Sequence, residues 1–296
     1  MRKERRLTLI SCDYFKPSEV GEALRLVSQF KERALFAAGC TNILPDIHSG
    51  KQKDCVLIDI SDLEELTGIS KCGNSMRIGS STTISELLNS SLIRDEAPLL
   101  YEAALNFADP VVRNRATVGG NLAYASPAAD MAVPLLALDS RVVVQSLDQG
   151  LREISLREFF VGPGETVLSP SELILRVEFN LSQNFKVFYV KVGKRNAMAI
   201  SLASLGLALK IDQTIKDARL ALGALAPTPI RACRTEDFLM GKFPEDKVME
   251  EASEILLSEI NPISDIRGSR EYRVELTRSL FKRAFRAILS EERGLS

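Results

Sequence analysis

The first 110 residues alternate helical and strand-like segments too short to bury their apolar faces alone, which restricts the chain to a layered α+β fold. In "FKPSEVGEALRLVSQF", from residue 15, Val20, Leu24 and Val27 share one helical face, with Ser18 the expected N-cap. "ALFAA" (34–38) reads as a short buried strand running straight into Gly39, and "CVLIDI" (55–60) as a second. Ser61 with Glu64 and Thr83 with Glu86 both have capping-box spacing, ahead of "DLEEL" and "ISELL", and "MRIGS" (76–80) is a strand between them. Leu100, Ala103, Ala104 and Phe107 fall at helical spacing in "APLLYEAALNF".

Further on, Ser126-Pro127 places an N-cap before a proline at the first helical position, predicting a helix through "AADMAVPLLALD" that Pro134 interrupts. "RVVVQSL" and "ELILRVEFN" follow as strands. The polar, turn-rich "NLSQNF" (180–185) marks an expected boundary between two domains, residues 1–181 and 182–296, in keeping with a length of 296 residues. Beyond it come three strands, "VFYVKVG", "SLASLGLALKI" and "ARLALGAL", then helices at about 245–260 and 269–291. The last helix has an apolar stripe of Leu276, Leu280, Ala284 and Ile288. Its Arg273, Arg278, Lys282, Arg283 and Arg286 are expected on solvated faces, or as a docking surface for an acidic partner.

Charge excludes one class of function. With 38 Lys and Arg against 39 Asp and Glu, the net charge of -1 gives no drive toward nucleic acid or anionic membrane. The basic start Arg2, Lys3, Arg5 and Arg6 is followed by no apolar run of useful length before Asp13, and no stretch approaches the roughly 18 apolar residues of a membrane span, so a soluble cytoplasmic chain is expected. Cys12, Cys40, Cys55, Cys72 and Cys233 have no metal or iron-sulfur spacing, and their odd number argues against a disulfide framework. His48, the single histidine, reads as a loop residue and leaves little for a triad or metal centre. Neither a catalytic residue nor a metal site is expected.

Two glycine-containing segments carry the chemistry: "FAAGCTNIL" (36–44) and "RNRATVGGNLAYASPAAD" (113–130). Neither is the G-x-G-x-x-G of a Rossmann fold or the G-K-[ST] of a P-loop. Glycine permits positive φ and close backbone approach, so consecutive turn residues can aim N–H groups at an anion. Each segment alone is equally well a tight turn. Two of them in one α+β domain can grip the two phosphates of a dinucleotide from both sides, with threonine hydroxyls and an asparagine amide as further donors.

The first segment resembles the A-G-G-T-D loop, and "VVRNRATVGGNLAYASPAAD" the I-R-N-x-A-T-x-G-G-N-x-x-x-x-x-x-x-x-D stretch, of the FAD-binding subunits of molybdenum hydroxylases. The resemblance runs through nearly the whole chain, with "MRIGS", "FVGPGET", "AMAIS", "APTPIR" and "GSREYRVEL" in the expected order. The C-terminal pieces look most like the FAD-binding subunit of bacterial xanthine dehydrogenase. The resemblance implies an α+β fold: an FAD-binding domain of the vanillyl-alcohol oxidase (PCMH) type, then a smaller domain like the C-terminal domain of carbon monoxide dehydrogenase flavoprotein. It also implies that Phe36, Ala37, Ala38, Gly39, Cys40, Thr41, Asn42 and Ile43 form a first pyrophosphate loop and Thr117, Val118, Gly119, Gly120 and Asn121 a second. Asp130 matches an acidic FAD contact on the helix that "SPAAD" begins, and Leu173 and Lys191 match further contacts. Phe107 falls where relatives place an aromatic against the flavin, although its helical spacing equally suits plain core. Lys194 and Arg195, in "KVGKRNAM", correspond to a loop near the flavin and could stabilise its reduced form or attract a nucleotide phosphate.

Two residues depart from the family pattern. Cys40 stands in place of the second glycine, so either that position does not need positive φ or the loop is reshaped. A reactive thiol there is conceivable, with a small packing residue the simpler reading. Asn42 replaces the usual acid and removes a negative charge. The role implied is electron exit. Substrate would be hydroxylated at a molybdopterin cofactor on a large subunit, electrons would pass through [2Fe-2S] clusters on another partner, and FAD would hand them to an acceptor such as NAD. Three other readings stay open: a stand-alone flavin oxidase of the same fold, a flavin-free scaffold, and the same branch acting on a non-purine aldehyde or N-heterocycle.

Overall fold

The computed structural model describes residues 12–181, 184–193 and 201–292. Lys194 and Arg195 lie outside the described residues. Three sheets organise the rest. The first is parallel and contains β1 (Cys12–Phe15), β2 (Ala34–Ala37) and β3 (Cys55–Asp59), in the order β1-β3-β2. Parallel strands need crossover connections. The helix Val20–Phe30 supplies the one from β1 to β2, which flank β3, and buries Val20, Ala23, Leu24 and Val27 against the sheet. Its cap differs from expectation. Glu19 precedes the first turn with no side-chain cap, and Ser18 instead donates its N–H and hydroxyl to Glu22 Oε2, at 2.7 and 3.0 Å.

The second sheet is antiparallel, in the order β4-β5-β10-β6-β7: β4 (Ile69–Cys72), β5 (Ser75–Gly79), β6 (Arg141–Ser146), β7 (Gly150–Ser155) and β10 (Leu173–Asn180). A small hairpin, β8 (Phe160–Gly162) and β9 (Glu165–Thr166), lies beside it in sequence. Helices Ile84–Asn89, Pro98–Leu105, Val118–Ala123 and Ala132–Ala137 share one core with this sheet, built on Ile78, Leu87, Leu100, Leu122, Leu135 and Val177. Thr83 and Glu86 form the full capping box. Ser61 and Glu64 do not: the chain closes there in a 3-10 turn over Glu64–Leu66 that follows Leu63 and has no side-chain cap. The segment after Ser126 is also corrected. Pro127 to Asp130 is a turn in which Ser126 Oγ accepts from the Ala128 N–H at 3.2 Å, and the helix begins only at Ala132. Pro134 sits in its first turn, where no intrahelical N–H is needed, so it interrupts nothing.

The third sheet runs β11 (Lys186–Val192), β12 (Ala203–Asp212), β13 (Thr214–Gly223) and β14 (Ile230–Arg231), antiparallel throughout. Leu205, Leu207, Leu220 and Leu222 bury against the helices Asp246–Leu257 and Arg270–Glu292. Tyr189, Ala208 and Ala221 join the core of the second sheet. Cover on both faces explains why "SLASLGLAL" is apolar without alternation.

Of the basic residues of the last helix, Arg283 and Arg286 are exposed as expected, but Arg273 is not, and several pair within the chain. Arg273 is 2% exposed; Nη1 donates to the carbonyls of Leu202 (2.7 Å) and Ala224 (3.1 Å), and Nη2 to Asp265 Oδ1 (2.9 Å). Arg278 pairs with Glu254, Lys282 with Glu250 and Arg286 with Asp246, all on the helix Asp246–Leu257, while the Arg283 guanidinium lies 5.9 Å from the Phe188 ring centre. The acidic partner is the chain's own neighbouring helix. His48 is likewise not in a loop, but closes the helix Ile43–His48.

Candidate functional site

A cleft of about 1140 Å³ runs from the carboxyl end of the parallel sheet, past the helix Val118–Ala123, to Lys191 on β11. Carboxyl ends of parallel strands are where open α/β sheets hold ligands. The first glycine segment leaves β2 at that end. A Cβ on Gly39 would lie 1.8 Å from the Arg115 carbonyl oxygen, so glycine is needed there for the first segment to pack against the backbone just ahead of the second. Cys40 follows with φ of 59°, which resolves the alternative: the position does take the left-handed conformation, and a cysteine adopts it. The thiol is half-buried and donates weakly to the Ala38 carbonyl at 3.6 Å. Burial pushes its pKa up, which keeps it protonated and fits a packing role. The N–H groups of Cys40, Thr41 and Asn42 take no partner among the described residues.

Left-handed backbone costs a non-glycine residue roughly 1–2 kcal/mol, partly offset by the entropy glycine loses on folding. Cys40→Gly is therefore expected to raise stability by about 0.5–1 kcal/mol, measured by thermal unfolding. An unchanged or lowered midpoint would show that thiol packing outweighs backbone strain.

The second segment is not a turn. Thr117 is the N-cap of the helix Val118–Ala123, its Oγ1 accepting from the Gly120 N–H at 3.1 Å, and both glycines lie in the first helical turn. Their role is close approach, since neither has positive φ. A Cβ on Gly119 would come within 2.6 Å of Ser80 Cβ, and the Gly119 N–H donates to the Ser80 carbonyl at 2.8 Å. The N–H groups of Val118 and Asn121 are also taken, by the carbonyls of Thr82 and Thr117. Free backbone donors are thus fewer in the second segment, where the Thr117 N–H is left without a partner among the described residues.

Two buried polar atoms on the cleft wall, Ser80 Oγ and Asp130 Oδ1, have no partner among the described residues. Unpaired buried polar atoms carry a desolvation cost of about 1–3 kcal/mol, which a ligand with matching groups would relieve. Asp130 Oδ2 accepts from Lys191 Nζ at 2.6 Å, and Lys191 also donates to the Asn106 carbonyl at 3.3 Å. Burial pushes the Asp130 carboxyl up more than Lys191 draws it back.

Of the residues singled out by sequence, Phe36, Ala38, Gly39, Cys40, Thr41, Asn42, Ile43, Phe107, Thr117, Gly119, Gly120, Asn121, Asp130, Leu173 and Lys191 line this one cleft. Ala37 and Val118 do not, being packed into the interior. Phe107 is at once a core residue and part of the wall. Sequence reasoning missed Ser80, whose signal was its place at the end of "MRIGS". It also missed a bridge across the cleft in which Tyr124 donates to Asp46 Oδ2 (3.2 Å) and Lys51 to Asp46 Oδ1 (2.9 Å). No local motif announces that bridge.

A cleft of this size at the carboxyl end of a parallel sheet, lined by residues with unpaired backbone N–H groups, suits an extended anionic ligand. The family model described as the FAD binding domain in molybdopterin dehydrogenase matches residues 9–180, and that of the CO dehydrogenase flavoprotein C-terminal domain matches residues 188–288. The chain is 31% identical to the glyceraldehyde dehydrogenase medium chain of Sulfolobus acidocaldarius, over 93% of this chain and 97% of that one. It is also 31% identical to the xanthine dehydrogenase FAD-binding subunit of Escherichia coli O157:H7, over 91% and 93%. The solved carbon monoxide dehydrogenase from Hydrogenophaga pseudoflava superposes with a TM-score of 0.91 at 30% identity, covering 94% of this chain and 97% of that one. The chain belongs to the FAD-binding medium subunits of the molybdenum hydroxylases, and is an oxidoreductase flavoprotein with FAD as its cofactor. No helix among the described residues is long and apolar enough to cross a membrane.

Proposed function

We propose that this chain is the electron-exit subunit of a cytoplasmic, xanthine dehydrogenase-like molybdenum hydroxylase. It would receive electrons from [2Fe-2S] clusters on one partner subunit and pass them to an acceptor such as NAD, while substrate is hydroxylated on a molybdopterin-binding large subunit. The observation that carries this reading is the cleft itself. Three N–H groups in the first segment and two buried polar atoms, Ser80 Oγ and Asp130 Oδ1, have no partner among the described residues and belong to residues that line one continuous space bounded by both glycine segments.

FAD, when bound, supplies chemistry that accepts electrons singly and releases them in pairs, so it couples one-electron centres to hydride transfer. The chain's own residues bind and orient it. The N–H groups of Cys40, Thr41 and Asn42 and the Thr41 hydroxyl would hold its diphosphate, Asp130 would accept from one of its donors, and Phe107 and Leu173 would supply an apolar wall. Gly39 lets the first segment close on the backbone at Arg115, and Gly119 lets the helix Val118–Ala123 pack against Ser80. His48 is exposed and does not line the cleft, so it is not placed to attach a flavin covalently, which favours a subunit over a stand-alone oxidase. We divide the chain at residues 1–181 and 182–296, so that the second domain delivers Lys191 to the cofactor cleft of the first.

The relatives' names support one component of a larger assembly: a medium chain in glyceraldehyde and carbon monoxide dehydrogenases, an FAD-binding subunit in xanthine dehydrogenase. Equal identity to the glyceraldehyde and xanthine proteins keeps an aldehyde substrate as a second reading. Purification from the native source, with mass spectrometry of what accompanies the chain, tests the assembly. An iron-sulfur chain and a larger molybdopterin chain are expected; a flavin-loaded chain that purifies alone would contradict it.

A further inference from the structure

We infer that Lys191 is a positioning residue for the cofactor site: its ion pair with Asp130, made from β11 of the C-terminal sheet, keeps that carboxylate ionised with Oδ1 held open to accept a hydrogen bond from FAD. The inference rests on the FAD reading above and deepens it. Both side chains are nearly buried, at 9% and 12% exposure, so the pair is little screened by solvent. Asp130 has two oxygens with different fates: Oδ2 is taken by Lys191 at 2.6 Å, while Oδ1 is buried on the cleft wall with no partner among the described residues.

Among the described residues, Lys191 is the cation that pairs with Asp130. Tyr189, two residues before Lys191 and so on the same face of β11, is buried beside Asp130. Its phenol is held neutral by that burial. Glu102, from the helix Pro98–Leu105, accepts the Tyr189 N–H at 2.8 Å. From the Asn106 turn only a backbone carbonyl reaches Lys191, and the Asn121 side chain is bound to the Met131 N–H. Burial alone would favour the protonated carboxyl. The lysine therefore acts through Asp130, and the C-terminal sheet controls the charge of a cofactor-site group in the other lobe.

The test is FAD titration of the full chain stripped of flavin, followed by flavin fluorescence from about pH 6 to pH 9, for wild type, Lys191→Met, Asp130→Asn and the double variant. Wild-type affinity is expected to change little over this range. Lys191→Met is expected to bind about tenfold more weakly near neutral pH and to recover as pH rises and Asp130 ionises. Asp130→Asn is expected to lose affinity equally at every pH, with the double variant no weaker than Asp130→Asn alone. Lys191→Arg should restore the flat profile. Melting of each flavin-free variant separates folding defects from binding, and the double variant, which buries no unpaired charge, carries the comparison if Lys191→Met is unstable. A loss in Lys191→Met that is independent of pH and adds to Asp130→Asn, or no loss at all, would overturn the inference. Failure of the wild-type chain to bind FAD would instead overturn the cofactor reading.

Discussion

Gly39→Ala is expected to yield protein that retains no FAD and is destabilised by about 3 kcal/mol. The added Cβ would meet backbone, with Arg115 O at 1.8 Å, Arg115 C at 2.7 Å and Ala116 Cα at 3.1 Å, so no side-chain rotation can relieve the clash. The first segment must then separate from the stretch leading into Thr117, which opens the cleft where its unpaired N–H groups lie. Flavin content after purification and the melting midpoint measure the two effects. Gly21→Ala is the control: its Cβ would meet only flexible Glu19 and Arg25 ends, at 3.4 and 3.5 Å, inside a helix. It should gain about 0.5–1 kcal/mol. A Gly39→Ala protein that is yellow and as stable as wild type would show that the two segments do not pack as described.

Arg273→Leu should be the most damaging change in the C-terminal lobe. The side chain joins the strand β12 approach at Leu202, the end of β13 at Ala224 and the loop residue Asp265 through three donated hydrogen bonds. Leucine fills part of the volume and donates nothing, leaving two carbonyls without their donor and Asp265 with Arg267 alone as its cation. Breaking a buried charged pair by removing one partner costs about 3–5 kcal/mol, a fall in melting temperature on the order of 10 °C. Calorimetry of the flavin-loaded chain checks this. A shift of only a degree or two would place Arg273 with the solvated arginines of the same helix.

Local signals in the sequence were legible and contacts between distant segments were not. The stripe Val20, Leu24 and Val27 and the box Thr83 and Glu86 depend on neighbours within one helix, and both are found. Ser61 and Glu64 have the same spacing as that box, yet the chain there forms only a single 3-10 turn between buried Leu63 and Leu66, because spacing permits a cap without supplying a helix to be capped. Arg273 looked like any other arginine of its helix. Its burial depends on carbonyls 71 and 49 residues away, which no periodicity encodes. The glycine pair was read as permitting close approach or positive φ; only the position of Ser80 against Gly119 decides that approach is the reason. Cys40 is the reverse case, a residue that departs from the family's glycine while its backbone keeps the glycine conformation.

Flavin in the purified full chain is the most direct test of the cleft as a cofactor site. The visible absorption spectrum and the FAD released on denaturation should show flavin bands and one FAD per chain. A folded, colourless chain that takes up no added FAD would contradict the account.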